Sequence, residues 1–252
     1  VSFRLLNTRI DALQHVDILD QIASWIYKRE RNHYAIFANA HSGMEYQSNA
    51  AFKSAAVNAD LVVPDGMPLV FIGRLRGLHL PRRADGPGFM SKALNISAHF
   101  GWRHYFYGST PETLTQLLCR VQTNSPEVQI AGSYAPPFRP LTEAEEHDVI
   151  RDINESDADI LWVGLGCPKQ EIWMWRHRDR LRVPVMLGVG QAFDLLAGVK
   201  NRAPAWMCAV GLEWVFRLAT EPRHTWRRYI VNNPRFIWLA LMEEIRLKMS
   251  KT

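Results

Sequence analysis

The sequence predicts an α/β fold, a Rossmann-like, mostly parallel sheet with crossover helices, followed by a helical basic C-terminal appendage. Between residues 34 and 190, short apolar runs alternate with longer stretches of helical periodicity, the pattern of strands joined by crossover helices. After Gly190 the strand-like runs stop and Trp-rich helical segments take over. Charge is also unevenly placed. From Arg217 to Thr252 there are eight Lys/Arg against three acids, so the net +5 resides there and the preceding 216 residues balance at 22 against 22.

Six runs read as strands: 34–39 (YAIFAN), 61–65 (LVVPD), 104–109 (HYFYGS), 128–134 (VQIAGSY), 160–166 (ILWVGLG) and 183–190 (VPVMLGVG). A further N-terminal strand is expected near residues 3–6. Helical spacing predicts helices over 16–29, 44–58, 88–100, 111–123, 142–155 and 169–180. Two of these open with capping signals: Ser109 or Thr110 before Pro111-Glu112, and Thr142 before Glu143 and Glu145. Residues 191–197 continue as helix, and after Gly198 and Pro204 a Trp-rich helix runs to Arg217. Pro222 and Pro234 are expected to break the basic tail into short pieces, the last carrying the apolar run 236–242. With no internal repeat and no low-complexity linker, residues 1–200 read as one α/β core and 201–252 as its appendage.

With 252 residues, 47% hydrophobic and 22% charged, the chain can bury a real core, which excludes disorder as its main state. Its three cysteines (Cys119, Cys167, Cys208) are scattered and lack zinc spacing, so a reducing compartment is expected, with no disulfide framework. No apolar run approaches the roughly 18 residues of a membrane span. Arg4, Asp11 and Asp17 interrupt the region where a secretory leader would be apolar. The nine histidines show no H-x-x-x-H or H-E-x-x-H spacing, and there is no G-x-S-x-G elbow, so neither a catalytic zinc nor that hydrolase class is expected. The basic tail suits an anionic partner (phosphate, lipid headgroup or nucleic acid), or is simply a solvated helix face.

In open parallel sheets, ligands lie outside the carboxyl ends of the strands. The residues there are Asn39 and His41, Asp65-Gly66, Gly108-Ser109-Thr110, Tyr134, the turn Gly166-Cys167-Pro168-Lys169-Gln170-Glu171, and Gly190-Gln191 with Asp194. Asp65 stands out, because a carboxylate ending an apolar strand is raised by burial toward the range of a general base. Asp-Gly is also an ordinary turn dipeptide, and Asp85 near Arg82 and Arg83 reads equally well as a simple ion pair. Gly164-x-Gly166 invites a dinucleotide reading, but the third glycine of that motif falls on Lys169. Asp157-Ala158-Asp159 precedes a strand and so lies at the edge opposite the expected crevice.

Taken together, these motifs resemble the WecG/TagA/CpsF family of bacterial glycosyltransferases over nearly the whole chain. The resemblance is carried by 59–67 (ADLVVPDGM), Tyr107-Gly108-Ser109, Gly132-Ser133-Tyr134 with Pro136-Pro137-Phe138, 163–171 (VGLGCPKQE) and 188–194 (GVGQAFD). Arg202-Ala203-Pro204, Gly211-Leu212-Glu213-Trp214, Arg217, Glu221-Pro222 and Arg227-Arg228-Tyr229 complete it. It implies an inverting, metal-independent hexosyltransferase with no cofactor, using a UDP-sugar donor and a polyprenyl-diphosphate-linked sugar acceptor. Such enzymes serve exopolysaccharide, teichoic acid or surface-antigen synthesis at the inner face of the cytoplasmic membrane.

On that resemblance, Asp65 is the general base. Asn39, Arg83 and Gln170 belong to the donor and acceptor pocket, with His41 and Ser109 at the same edge. Tyr134 and Asp194 fall where uridine is held, and Arg217, Arg223, Arg227 and Arg228 are expected to reach the diphosphate. A cytoplasmic chain, peripheral on the membrane surface, with no nucleic-acid partner and a possible homo-oligomeric state, is the accompanying expectation. Two departures bear on sugar identity: Phe37 stands where the family commonly has Thr, and Gly88 where R-x-x-G-x-D-L has Asp. The Asn39-x-His41 pair is closer to members that add glucose than to those adding N-acetylmannosamine. The competing readings are a nicotinamide-dinucleotide-dependent oxidoreductase, on Gly164-x-Gly166, and a nucleic-acid-binding domain with a basic arm.

Overall fold

A computed structural model describes residues 1–249. An N-terminal ribbon of β1 (Ser2–Leu5) and β2 (Thr8–Asp11) is followed by α1 (His15–Tyr27), β3 (His33–Ala38), α2 (Ala40–Ser48), α3 (Ala50–Val57), β4 (Leu61–Pro64), α4 (Met67–Leu75) and α5 (Gly86–Phe100). Then come β5 (Arg103–Gly108), α6 (Pro111–Asn124), β6 (Gln129–Tyr134), α7 (Glu143–Glu155), β7 (Ile160–Gly164), α8 (Lys169–His177), β8 (Val185–Gly188) and α9 (Ala192–Leu196). The appendage is α10 (Ala205–Ala209), α11 (Glu213–Thr220), α12 (Pro222–Trp226), a π-helical segment (Arg227–Asn232) and α13 (Asn233–Met249).

Six strands form one sheet in the order β4-β3-β8-β7-β5-β6, and every pairing in it is parallel. This is the Rossmann-like α/β class expected from the alternation of runs. Because side chains alternate across a strand, each central strand supplies two cores. Ile36, Val62, Tyr105, Leu161 and Met186 face α2, α3, α7 and α8. Ala35, Val63, Phe106, Trp162 and Leu187 face α1, α5, α6 and α9. This two-sided burial is why the strands read as nearly continuous apolar runs instead of strict alternation.

Several elements differ from expectation. The N-terminal strand is paired with a short, charged return strand through Leu6-Asn7, both at positive φ as a two-residue hairpin turn requires. Asp11 of that return strand accepts from Val62 N at 2.8 Å, covering the edge of β4. The single helix expected over 44–58 is two: Asn39 caps α2 from Ala40, and Asn49 ends α2 and caps α3 through Phe52 N. Helix α4 adds an element where the sequence reading placed none. Pro68 sits in the first turn, where its missing N–H costs nothing, and Gly73 is required because a Cβ there would lie 2.5 Å from Leu80.

Pro234 does not break the tail. Helix continues through it, and the turn ahead of it widens to π geometry, with Asn233 N donating to Arg228 O. A proline at 234 can neither donate to the preceding turn nor fit under its carbonyls, and the wider turn relieves both. The apolar run 236–242 is also divided: Phe236 is 2% exposed and, with Ala240, joins the main core, leaving Ile237, Trp238 and Leu241 exposed. Phe236 packs where a Cβ on Gly43 would be 2.5 Å away, so α2 carries a glycine to receive the appendage.

Beneath the second core, Trp162 Nε1 donates to His104 Nδ1 at 3.0 Å, which leaves the ring proton on Nε2, 2.7 Å from Ser97 Oγ; Ser97 in turn donates to Leu94 O. Burial lowers the His104 pKa to about 4. Between pH 6.5 and 4 the unfolded chain therefore holds a proton that the folded chain does not, and stability falls as pH falls through that window, by about 3 kcal/mol in all. Urea midpoints between pH 7 and 4.5 are expected to drop more steeply for the native chain than for His104→Gln.

Candidate active site

The register of the sheet brings the expected residues together. Ala38 pairs with Pro64, so Asn39 and Asp65 leave β3 and β4 side by side, and Asp65 N and Gly66 N both donate to Ala38 O at 2.8 and 3.2 Å. Gly108 pairs with Gly164, setting Ser109 beside Leu165. Gly108 has φ +131°, and a Cβ there would lie 2.6 Å from the Gly164 backbone, so only glycine permits that approach. Above these strand ends, closed over by the appendage, is a cavity of about 1100 Å³.

Asp65 lines it. Desolvation raises its pKa to about 7; Asp85 and Glu213 push the same way, and Arg83 and Arg228 oppose them. Asn39 Oδ1 is fully engaged, accepting from His41 N at 3.0 Å, Ser42 N at 3.3 Å and Arg228 Nη2 at 3.3 Å, which leaves its N–H₂ group for a ligand. His41 is kept neutral, its pKa lowered by burial and by Arg228, and its buried Nδ1 has no partner. Gln170 is held at both ends of its amide: Oε1 accepts from Gly166 N at 3.1 Å and Nε2 donates to Glu171 Oε1 at 2.9 Å. Glycines at 188 and 190 leave it room, since a Cβ at 188 would stand 3.1 Å from Nε2.

Glu171 was named in the sequence only as part of a turn. It is buried with Oε2 unpartnered, and burial raises its pKa to about 7. A helix-start glutamate normally faces water, so nothing in the sequence marked it.

Further along the edge, Asp194 is held by Lys200 at 3.0 Å and by Ser109 Oγ at 3.5 Å; Lys200 also reaches Glu221 at 3.0 Å. Arg83 pairs with Glu213 of α11. Asp85 pairs with neither Arg82 nor Arg83: it caps α5 through Gly88 N and bonds Arg202. Asp159 of the D-x-D letters accepts from Arg103 N at the amino edge, far from this chemistry. Tyr134 does not line the cavity; it stacks on Tyr107, centroids 6.1 Å apart, on the half-exposed edge strand β6.

The appendage divides its charges. Its acids turn inward: Glu213 to Arg83, Glu221 to Lys200, and Glu243 and Glu244 to Arg76. Of its arginines, Arg217 and Arg228 line the cavity, each over the Tyr229 ring, and Arg217 Nε is buried without a partner. Arg223, Arg227, Arg235 and Arg246 are exposed and outside the cavity lining, and Lys251 lies outside the described residues. Among the described residues no helix is long and apolar enough to cross a membrane, and no three His, Cys, Asp or Glu side chains are grouped to hold a metal ion.

A near-neutral carboxyl at the carboxyl edge of a Rossmann-like sheet, sharing a cavity with two arginines of the appendage, is an arrangement chemically able to hold an anionic ligand beside a proton acceptor. The chain belongs to the glycosyl transferase WecG/TagA/CpsF family, whose profile matches residues 3–250. It is 29% identical over 211 residues to the N-acetylglucosaminyldiphosphoundecaprenol N-acetyl-beta-D-mannosaminyltransferase of Bacillus spizizenii, covering 84% of this chain and 79% of that protein. Proteins of the same name from Bacillus subtilis (27%, covering 74% of this chain and 70% of the relative) and Staphylococcus aureus (23%, covering 98% and 95%) are also similar.

Proposed function

We propose that the chain is an inverting hexosyltransferase that moves glucose or an N-acetylmannosamine-type sugar from a UDP-sugar to a sugar carried on polyprenyl diphosphate. The observation that carries this is the sharing of one cavity by Asp65 and the appendage arginines Arg217 and Arg228. The relatives' names describe transfer to a diphosphoundecaprenol-linked sugar, which supports the acceptor class.

In the proposed step, ionised Asp65 takes the proton of the acceptor hydroxyl as its oxygen attacks the anomeric carbon. The bond from that carbon to the UDP β-phosphate oxygen breaks in the same displacement, inverting the centre. The electron pair leaves with UDP, whose growing charge Arg217 and Arg228 stabilise. Arg83, Asn39, His41, Ser109, Gln170 and Asp194 are assigned to substrate contacts, and Arg223 and Arg227 to the anionic surface beyond the cavity. Phe37 packs on Phe89, centroids 5.3 Å apart, and Gly88 N is taken by Asp85, so the two positions that depart from the family present no polar side chain to a donor sugar.

Outside the cavity, exposed Trp238 and Ile245 lie among Arg235 and Arg246, a mixture suited to peripheral contact with an anionic membrane face.

Transfer assayed with a panel of UDP-sugars and a short-chain polyprenyl-diphosphate sugar tests the reading. One hexose is expected to be transferred with inversion; no transfer from any UDP-sugar, together with a melting shift from NAD and none from UDP, would overturn it. A chelator is expected to leave the rate largely intact, since arginines carry the charge stabilisation. Complete loss restored by magnesium would contradict that.

A further inference from the structure

The same cavity has an apolar arm that sugar and diphosphate chemistry does not use. Helix α4 presents Phe71 and Leu75, and α13 presents Ile237 and Leu241, each pair at i, i+4 and so on one helix face. All four line the cavity that holds Asp65, yet they are 58%, 59%, 45% and 50% exposed. Their helices are fixed relative to each other. Arg76, which ends α4, pairs with Glu243 and Glu244 of α13, and Phe236 and Ala240 anchor α13 in the core. The cleft is thus a built feature, left open with its apolar side chains in water.

With Arg217 and Arg228 assigned to the diphosphate of the donor, the apolar arm along α4 and α13 is left for an apolar part of the second substrate. Resting on the acceptor class proposed above, we infer that the cleft between α4 and α13 holds the first isoprene units of the polyprenyl diphosphate acceptor. A bilayer surface does not fit this place, because the four side chains line the inside of the cavity; the outward face of α13 carries Trp238, which is not among the lining residues. A single hydrocarbon chain suits an apolar cleft that lines the same cavity as Asp65. Seating the chain here draws the acceptor's head toward Asp65 while the rest of the lipid stays in the membrane.

The test is the binding of farnesyl diphosphate and methyl diphosphate to the full chain by calorimetry, without vesicles or detergent. The native protein is expected to bind the farnesyl compound at least about 10-fold more tightly, the effect of burying only two or three methylenes. Leu75→Ser with Leu241→Ser, and Phe71→Ser alone, are expected to bring that ratio close to one, with melting temperature recorded to confirm folding. Equal affinities in the native protein, or an undiminished ratio in folded variants, would overturn the inference. Binding does not depend on turnover, so a retained preference without sugar transfer would sink the enzymatic reading and leave the cleft standing. Transfer without chain preference would do the reverse.

Discussion

Asp65→Asn is expected to lower the transfer rate at pH 7 by about 100-fold or more, the scale of losing a general base, while leaving UDP binding intact. Asparagine keeps the shape and can still bond a hydroxyl, but it cannot take its proton. Stability should move the other way. A carboxyl raised from 3.8 to about 7 by desolvation favours the fold fully below pH 3.8 and loses that contribution as pH rises toward 7. The native protein at pH 7 and above therefore carries a destabilising group that the variant lacks, and the variant should melt at the same temperature or higher. The pH profile separates catalysis from packing: native activity should rise with pH through about 7, as the base ionises. Near-normal turnover in a folded Asp65→Asn protein would remove the carboxylate from the mechanism.

The reason Asp65 was legible in the sequence is local. Parallel strands buried on both faces read as apolar runs, and the first polar residue beyond each run falls at the edge where ligands bind. Asn39, Asp65 and Ser109 follow this rule, Gln170 and Asp194 come a few residues further on, and all five line the cavity. What was not legible depends on how distant segments meet. Glu171 looks like an ordinary helix-start acid until α8 docks and buries it. Glu213 and Lys200 look like surface charges until the appendage closes and pairs them with Arg83 and with Asp194 and Glu221.

At Pro234 a widened turn absorbs what local propensity would interrupt. The basic tail shows the limit most clearly. Its net charge was visible, but its division was not, because the inward-turned acids, Arg217 and Arg228 differ from the outward-turned arginines only in three dimensions.

That division gives the second expected result with a large effect. Arg217→Gln and Arg228→Gln should each lower the rate by about 100-fold or more with a water-soluble acceptor, the cost typical of removing one preorganised donor to developing charge. Arg228 has its guanidinium on Asn39, and Arg217 keeps an unpartnered buried Nε in the cavity, so both are in place before a diphosphate arrives. Arg235→Gln with Arg246→Gln removes cations that make no ion pair among the described residues. With the soluble acceptor its rate should stay close to native, whereas its binding to vesicles containing phosphatidylglycerol should weaken by about 1 kcal/mol per arginine. The two pairs therefore predict opposite patterns: inner changes reduce turnover without vesicles, and outer changes reduce vesicle binding without altering turnover. If the folded Arg217 and Arg228 variants transferred sugar to the soluble acceptor as fast as the native protein, the appendage would be only an anchor, and the charge on departing UDP would have to be met by groups on the sheet edge itself.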